Sequence, residues 1–131
     1  MMAPGGKRLR RVSLWLLCAA APALGVAAAH SADLYGAIAY SPTMRAHGWS
    51  KDHPSRKAAE KAAVAGCSKH APDCAAVLWF TNACGSLALG PKGAGWAWDP
   101  LQENADRAAL NACAQHSKAC TVKQRICTTK K

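Results

Sequence analysis

Phenylalanine and tyrosine are scarce in this chain, with one and two in 131 residues against five tryptophans. No Gly-x-Ser-x-Gly turn occurs, so the elbow that exposes a serine nucleophile is missing. The cysteines lack the close spacing of a zinc knuckle: Cys67/Cys74 and Cys113/Cys120 each enclose six residues, wider than C-x(2–4)-C. Carboxylates are few, 7 Asp+Glu against 17 Lys+Arg. The usual nucleic-acid recognition motifs are absent too, so Arg45, Lys51, Arg56, Lys57, Lys61, Lys69 and Lys92 read as a scattered solvated face. No nucleic-acid partner, metal or other cofactor is expected.

What is present begins with an export signal. Lys7, Arg8, Arg10 and Arg11 precede an apolar run that ends in Ala27-Ala28-Ala29, the small-x-small pattern for cleavage after Ala29. The run is alanine-rich and interrupted by Pro22 and Gly25, unlike a membrane span of ~20 strongly apolar residues. Leu17 before Cys18 is too large for a lipidation site. Residues 1–29 are therefore expected to be a secretory signal peptide, and 30–131 a single domain in the periplasm or outside the cell. Loss of the four basic residues in that leader lowers the formal charge from +10 to +6. The remaining charge still favours anionic surfaces weakly.

The domain is built from a repeat. His53–Cys67 (HPSRKAAEKAAVAGC) lies over Asp99–Cys113 (DPLQENADRAALNAC) without a gap. Gly48-Trp49 answers Gly95-Trp96, and Cys67 and Cys113 are each followed seven residues later by Cys74 and Cys120. Repeat 1 covers about 34–81 and repeat 2 about 84–127. Six cysteines in an exported small domain read as three disulfides, with fifteen possible pairings. The duplication selects Cys67–Cys74 and Cys113–Cys120 as one bridge made twice, which leaves Cys84–Cys127. In the loop-entropy picture the short bridges contribute ~2.5 kcal/mol each and the long one ~4 kcal/mol. A chain this small needs such staples.

Each unit reads strand, strand, helix, strand. In the first unit, strands are expected at 34–40, 45–51 and 75–81, with a helix from about Ser55 to Cys67. The second expects strands at 85–90, 93–98 and 121–128, with a helix over about Leu101–Ala114, N-capped by Asp99 with Pro100 at its first position. Small residues at 59, 62, 63, 66 and 67, and at 105, 108, 109, 112 and 113, mark the buried helix faces. The unbroken apolar run AAVLWFT (75–81) predicts a strand covered on both faces. The fold class is α+β: tandem units forming a largely antiparallel sheet with two helices and three disulfides.

YGAIAYSP, GWS, PSRKAAEKAAVAGC, WFTNACGSLAL, GWAW and ADRAALNAC, taken in order with the six cysteines, resemble the exported bacterial family catalogued as domain of unknown function 4189. The resemblance spans about residues 34–127. It implies no catalytic residues, since none are assigned to the family. Leu101-Gln102-Glu103-Asn104 departs from the family's more common Ser/Thr-Arg-type helix start.

Candidate chemistry is thin. Asp52 with His53 or His47 is the nearest approach to an acid–base pair, yet neither histidine has a counterpart in repeat 2. Glu60 and Asp106, at equivalent helix positions beside Lys61 and Arg107, read as surface charges. Ser41 reads as an ordinary turn residue. His70 and His116 are aligned within the short disulfide loops, without a supporting carboxylate. Trp49, Trp79, Trp96 and Trp98 are the stronger candidates. They either fill a core that alanine leaves thin or stand exposed as anchors for a partner, with the glycines before Trp49 and Trp96 allowing close approach. Lys123 and Arg125, with Lys130 and Lys131, form a modest basic cluster. The expectation is a small exported, non-enzymatic binding module that engages or neutralises a protein partner. The alternative is a binder of anionic lipid or cell-wall polymer, and a small hydrolase stands third.

Overall fold

The computed structural model describes residues 32–130, with Gly25 alone before them. Apart from that glycine, the expected signal segment lies outside the described residues. Eight elements follow in the order β1 (Tyr35–Tyr40), β2 (His47–His53), α1 (Arg56–Ser68), β3 (Ala75–Thr81), β4 (Cys84–Gly90), β5 (Gly93–Asp99), α2 (Gln102–Ala114) and β6 (Thr121–Cys127). This is the strand–strand–helix–strand unit made twice. No helix among the described residues is long and apolar enough to cross a membrane.

The strands form two antiparallel three-stranded sheets rather than one continuous sheet, in the orders β2-β1-β3 and β5-β4-β6. The division follows from how side chains alternate along β1 and β4. Ala37 and Ala39 of β1 face Ala59, Ala63 and Cys67 of α1, all fully buried. Ala88 of β4 meets Ala109 and Cys113 of α2 in the same way. The opposite faces carry the large residues: Ile38, Tyr40 and Phe80 pack with Leu87 and Leu89 in a second core between the sheets. The layers are thus helix, sheet, sheet, helix, with β1 against β4, β3 against β5 and β2 against β6.

Each helix buries a narrow line. Positions 59, 63 and 67, and 105, 109 and 113, are buried at four-residue spacing, whereas Ala108 is exposed. So thin a stripe puts helix backbone almost on the sheet. A Cβ at Gly48 would lie 2.3 Å from the Ala63 carbonyl, and one at Gly95 2.1 Å from the Cys113 nitrogen. The glycines before Trp49 and Trp96 are therefore spent on helix packing, not on access for a partner.

Helix starts differ between the units. Ser55 caps α1, its hydroxyl accepting from the Ala58 N–H at 3.1 Å. The expected cap Asp99 does not cap α2, which begins after Leu101 with no side-chain cap bond. Asp99 instead accepts from the Leu101 N–H at 2.8 Å and from the Asn104 amide at 3.2 Å, closing a turn over Pro100 ahead of the helix. Disulfides join Cys67–Cys74, Cys113–Cys120 and Cys84–Cys127. The first two tie the last turn of each helix to the following strand, and the third links β4 to β6 where those residues pair.

The run 75–81 is not covered on both faces. β3 is an edge strand, and only Phe80 in it is buried. The buried strands are the central β4, throughout, and β1, from Gly36 on, whose Gly, Ala and Ser positions let the flanking layers close on them. An apolar run reports burial of side chains somewhere on its length; it does not report how many neighbouring strands it has.

Candidate functional site

The four candidate tryptophans remain 38–54% exposed, so they do not serve mainly as core filler. Trp49 lies on β2, at the side of the sandwich shared with β6. Trp96 points inward from β5, its ring 6.4 Å from that of Tyr40, and covers the end of the inter-sheet core. Trp79 and Trp98 both border one cleft at the other side, where the edge strands β3 and β5 run one over the other.

That junction holds a cleft of about 290 Å3 lined by Val77, Leu78, Trp79, Phe80, Thr81 and Trp98. Five consecutive residues of one strand form its wall, so the cleft runs along the strand edge, and Trp98 overhangs it from the second sheet. On the opposite face of β3, Trp79 lies 6.4 Å from Tyr35, and the Arg56 guanidinium sits 4.7 Å above its ring. That distance is a cation–π contact, which holds the indole against the sheet. A second depression lies between α1 and β3, lined by Arg56, Lys57, Glu60, Lys61, Val64 and Ala76. Glu60 is its one carboxylate and is paired with Arg56.

The basic candidates lie elsewhere. Lys123 and Arg125 are on β6, at the edge opposite β3. Arg125 is engaged, 2.8 Å from Asp106. Asp106 is therefore no plain surface charge: its side chain is 17% exposed and also accepts from Ser86 Oγ at 2.5 Å and Gln102 Nε2 at 2.8 Å. Glu60 keeps the surface role, in an i,i+4 pair with Arg56. Lys130 lines a separate depression of about 410 Å3 around the 84–127 disulfide.

Of the acid–base candidates, the carboxylate is committed to structure. Asp52 sits at a bulge between β1 and β2 with φ 61, an inserted residue with no partner in β5. Hydrogen bonds from the Thr129 backbone and hydroxyl hold its carboxyl below the usual range. Asp73 is likewise held low by hydroxyls, Ser41 first and Thr43 second. Ser41 is thus more than a turn residue: it is buried and fastens the β1–β2 turn to the first disulfide loop. Burial, with the charge of His70 second, holds His47 below the ordinary histidine range. Among the described residues, no group of three or more His, Cys, Asp or Glu is placed to hold a metal.

Sequence reasoning missed Arg56, Lys57, Lys61 and Leu78 as parts of a site. The repeat held a signal for them: strand 75–81 is uncharged where its counterpart 121–127 carries Lys123 and Arg125.

The family described as a domain of unknown function, DUF4189, matches residues 35–127, from the first strand to the last. The chain belongs to that family. This DUF4189 domain is also similar to Protein Rv1269c and Protein MT1307 of Mycobacterium tuberculosis and to Protein Mb1300c of Mycobacterium bovis. Each is 48% identical over 60 residues, which cover 46% of this chain and 45% of the relative. The match thus spans about half the length of those curated relatives. No solved structure matches the chain.

Proposed function

We propose that this DUF4189 domain is an exported, non-enzymatic binding module for a protein partner in the cell envelope or outside the cell. One observation carries the reading: Trp79 and Trp98, 38% and 54% exposed, border an uncharged strand edge of a frame held by three disulfides. Tryptophan contributes most to an interface when a partner buries it, and a rigid frame lowers the ordering cost of doing so. The disulfides fit an oxidising compartment.

The test is capture of proteins from the exported fraction by the oxidised domain, at low and high salt. Stoichiometric capture that persists in high salt and weakens by more than ~1 kcal/mol in Trp98→Ala supports the reading. Binding of lipid or wall polymer alone, lost as salt rises, would replace it with attraction through Lys123 and Lys130. Hydrolysis of a substrate that is abolished by His53→Ala and untouched by Trp98→Ala would replace it with an enzyme.

A further inference from the structure

Of the four edge strands, two are guarded and two are bare. β2 carries Lys51 and Asp52 with a bulge, and β6 carries Lys123 and Arg125. Such charges are how edge strands avoid pairing with other chains. β3 has no charge and no proline in seven residues, and β5 carries only Asp99, at its end. β3 is flanked by a depression on each face. Its register shifts once, between the partners of Ile38 and Ala39, so Leu78–Thr81 forms the regular stretch of edge. The apolar cleft lies along that same stretch.

Resting on the binding role above, we infer that the β3 edge takes an extended segment of the partner as an added strand, with apolar and acidic side chains in alternation. An added strand bonds to the outward backbone groups of β3, and its side chains alternate between faces with a period of two. On the inter-sheet face they enter the cleft beneath Trp98, beside Leu78 and Phe80, where an apolar residue fits. On the helix face they meet Lys57 and Lys61, beside the Arg56–Glu60 pair, where a carboxylate fits. A second copy of the domain does not match this pattern. Its own β3 would bring an uncharged strand and a second pair of the same lysines, Lys57 and Lys61, against the first.

The test uses the oxidised protein, made through its export route, and a blocked eight-residue peptide alternating glutamate and valine. Amide hydrogen exchange and chemical shifts report which backbone groups the peptide covers. Slowed exchange within Leu78–Thr81 is expected, with binding at least about tenfold weaker for a lysine–valine peptide. Binding should also be lost when alternate peptide nitrogens are methylated, because that removes the backbone donors while leaving the protein unaltered. Lys57→Glu with Lys61→Glu, both exposed, should reverse the preference between the two peptides. No binding of the acidic peptide, or equal binding after methylation, would overturn strand addition. Capture of a partner that depends on Trp98 while β3 exchange is unchanged would overturn it too, yet leave the binding role standing. A dimer with β3 protected in the absence of peptide would assign the edge to a second copy and likewise overturn the inference.

Discussion

Asp52 grips Thr129 with both carboxylate oxygens: Oδ1 accepts the backbone N–H at 2.7 Å and Oδ2 the hydroxyl at 2.6 Å. The contact joins the bulge in repeat 1 to the segment after β6, so the residue that breaks the repeat also fastens the two units together. Its folded-state pKa is depressed, as is that of Asp73. A depressed carboxyl adds stability that is present above its unfolded value, 3.8, and lost as pH falls through the folded one. Thermal melts should therefore show a falling midpoint below about pH 4. Asp52→Asn combined with Asp73→Asn should flatten that fall, and an unchanged acid limb would show that neither contact forms.

Two glycines and a third in a different setting give a paired test of the packing. Gly48→Ala and Gly95→Ala each push a methyl into helix backbone, at 2.3 and 2.1 Å. Each should cost ~1–3 kcal/mol in urea unfolding, because backbone cannot step aside as a flexible side chain would. Gly66 lies inside α1 with nothing nearer than 3.8 Å, so Gly66→Ala should stabilise by ~0.5–1 kcal/mol. Equal effects at the three positions would contradict the close approach of helix to sheet.

Asp106 gathers Ser86, Gln102 and Arg125 around one half-buried carboxylate. Asp106→Ala leaves the fully buried Ser86 hydroxyl without the acceptor for its proton, although the Gln102 amide still donates to it, and should destabilise by ~1–3 kcal/mol. Glu60→Ala, at the equivalent position of α1, removes only an exposed ion pair and should change stability by less than ~0.5 kcal/mol. Urea unfolding of the two variants side by side checks the asymmetry.

The bridges are unequal in the chain they close. Cys84–Cys127 encloses 43 residues of separation and the other two enclose 7 each. Replacing the long bridge with serines should cost ~4 kcal/mol against ~2.5 for a short one, if loop entropy dominates. Peptide mapping without reductant should return the three pairs with no free thiol.

Element boundaries were legible because punctuation marks them. Pro42 follows the first strand, Ser55 caps a helix after Pro54, and the aligned cysteines end both helices. The repeat supplied the second unit from the first. Strand neighbours were not legible: the two-residue period of β3 says which residues share a face, and nothing in AAVLWFT distinguishes an edge from a centre. The same gap hid the division into two sheets, since Ile38 and Leu87 look alike whether they meet a sheet or a helix. Asp106 was misread because its burial comes from Ser86 and Arg125, distant in sequence. The tryptophans were singled out by composition and by their repeat positions. Their division between two sides of the sandwich needed the strand order.

The most direct measurement is oxidative labelling of the tryptophans in the oxidised domain, alone and with the exported protein fraction, read by mass spectrometry residue by residue. The account predicts protection of Trp79 and Trp98 together, persisting in high salt, with Trp49 on the other side of the sandwich labelled as before. Unchanged labelling of Trp79 and Trp98, or protection confined to Trp49, would contradict it.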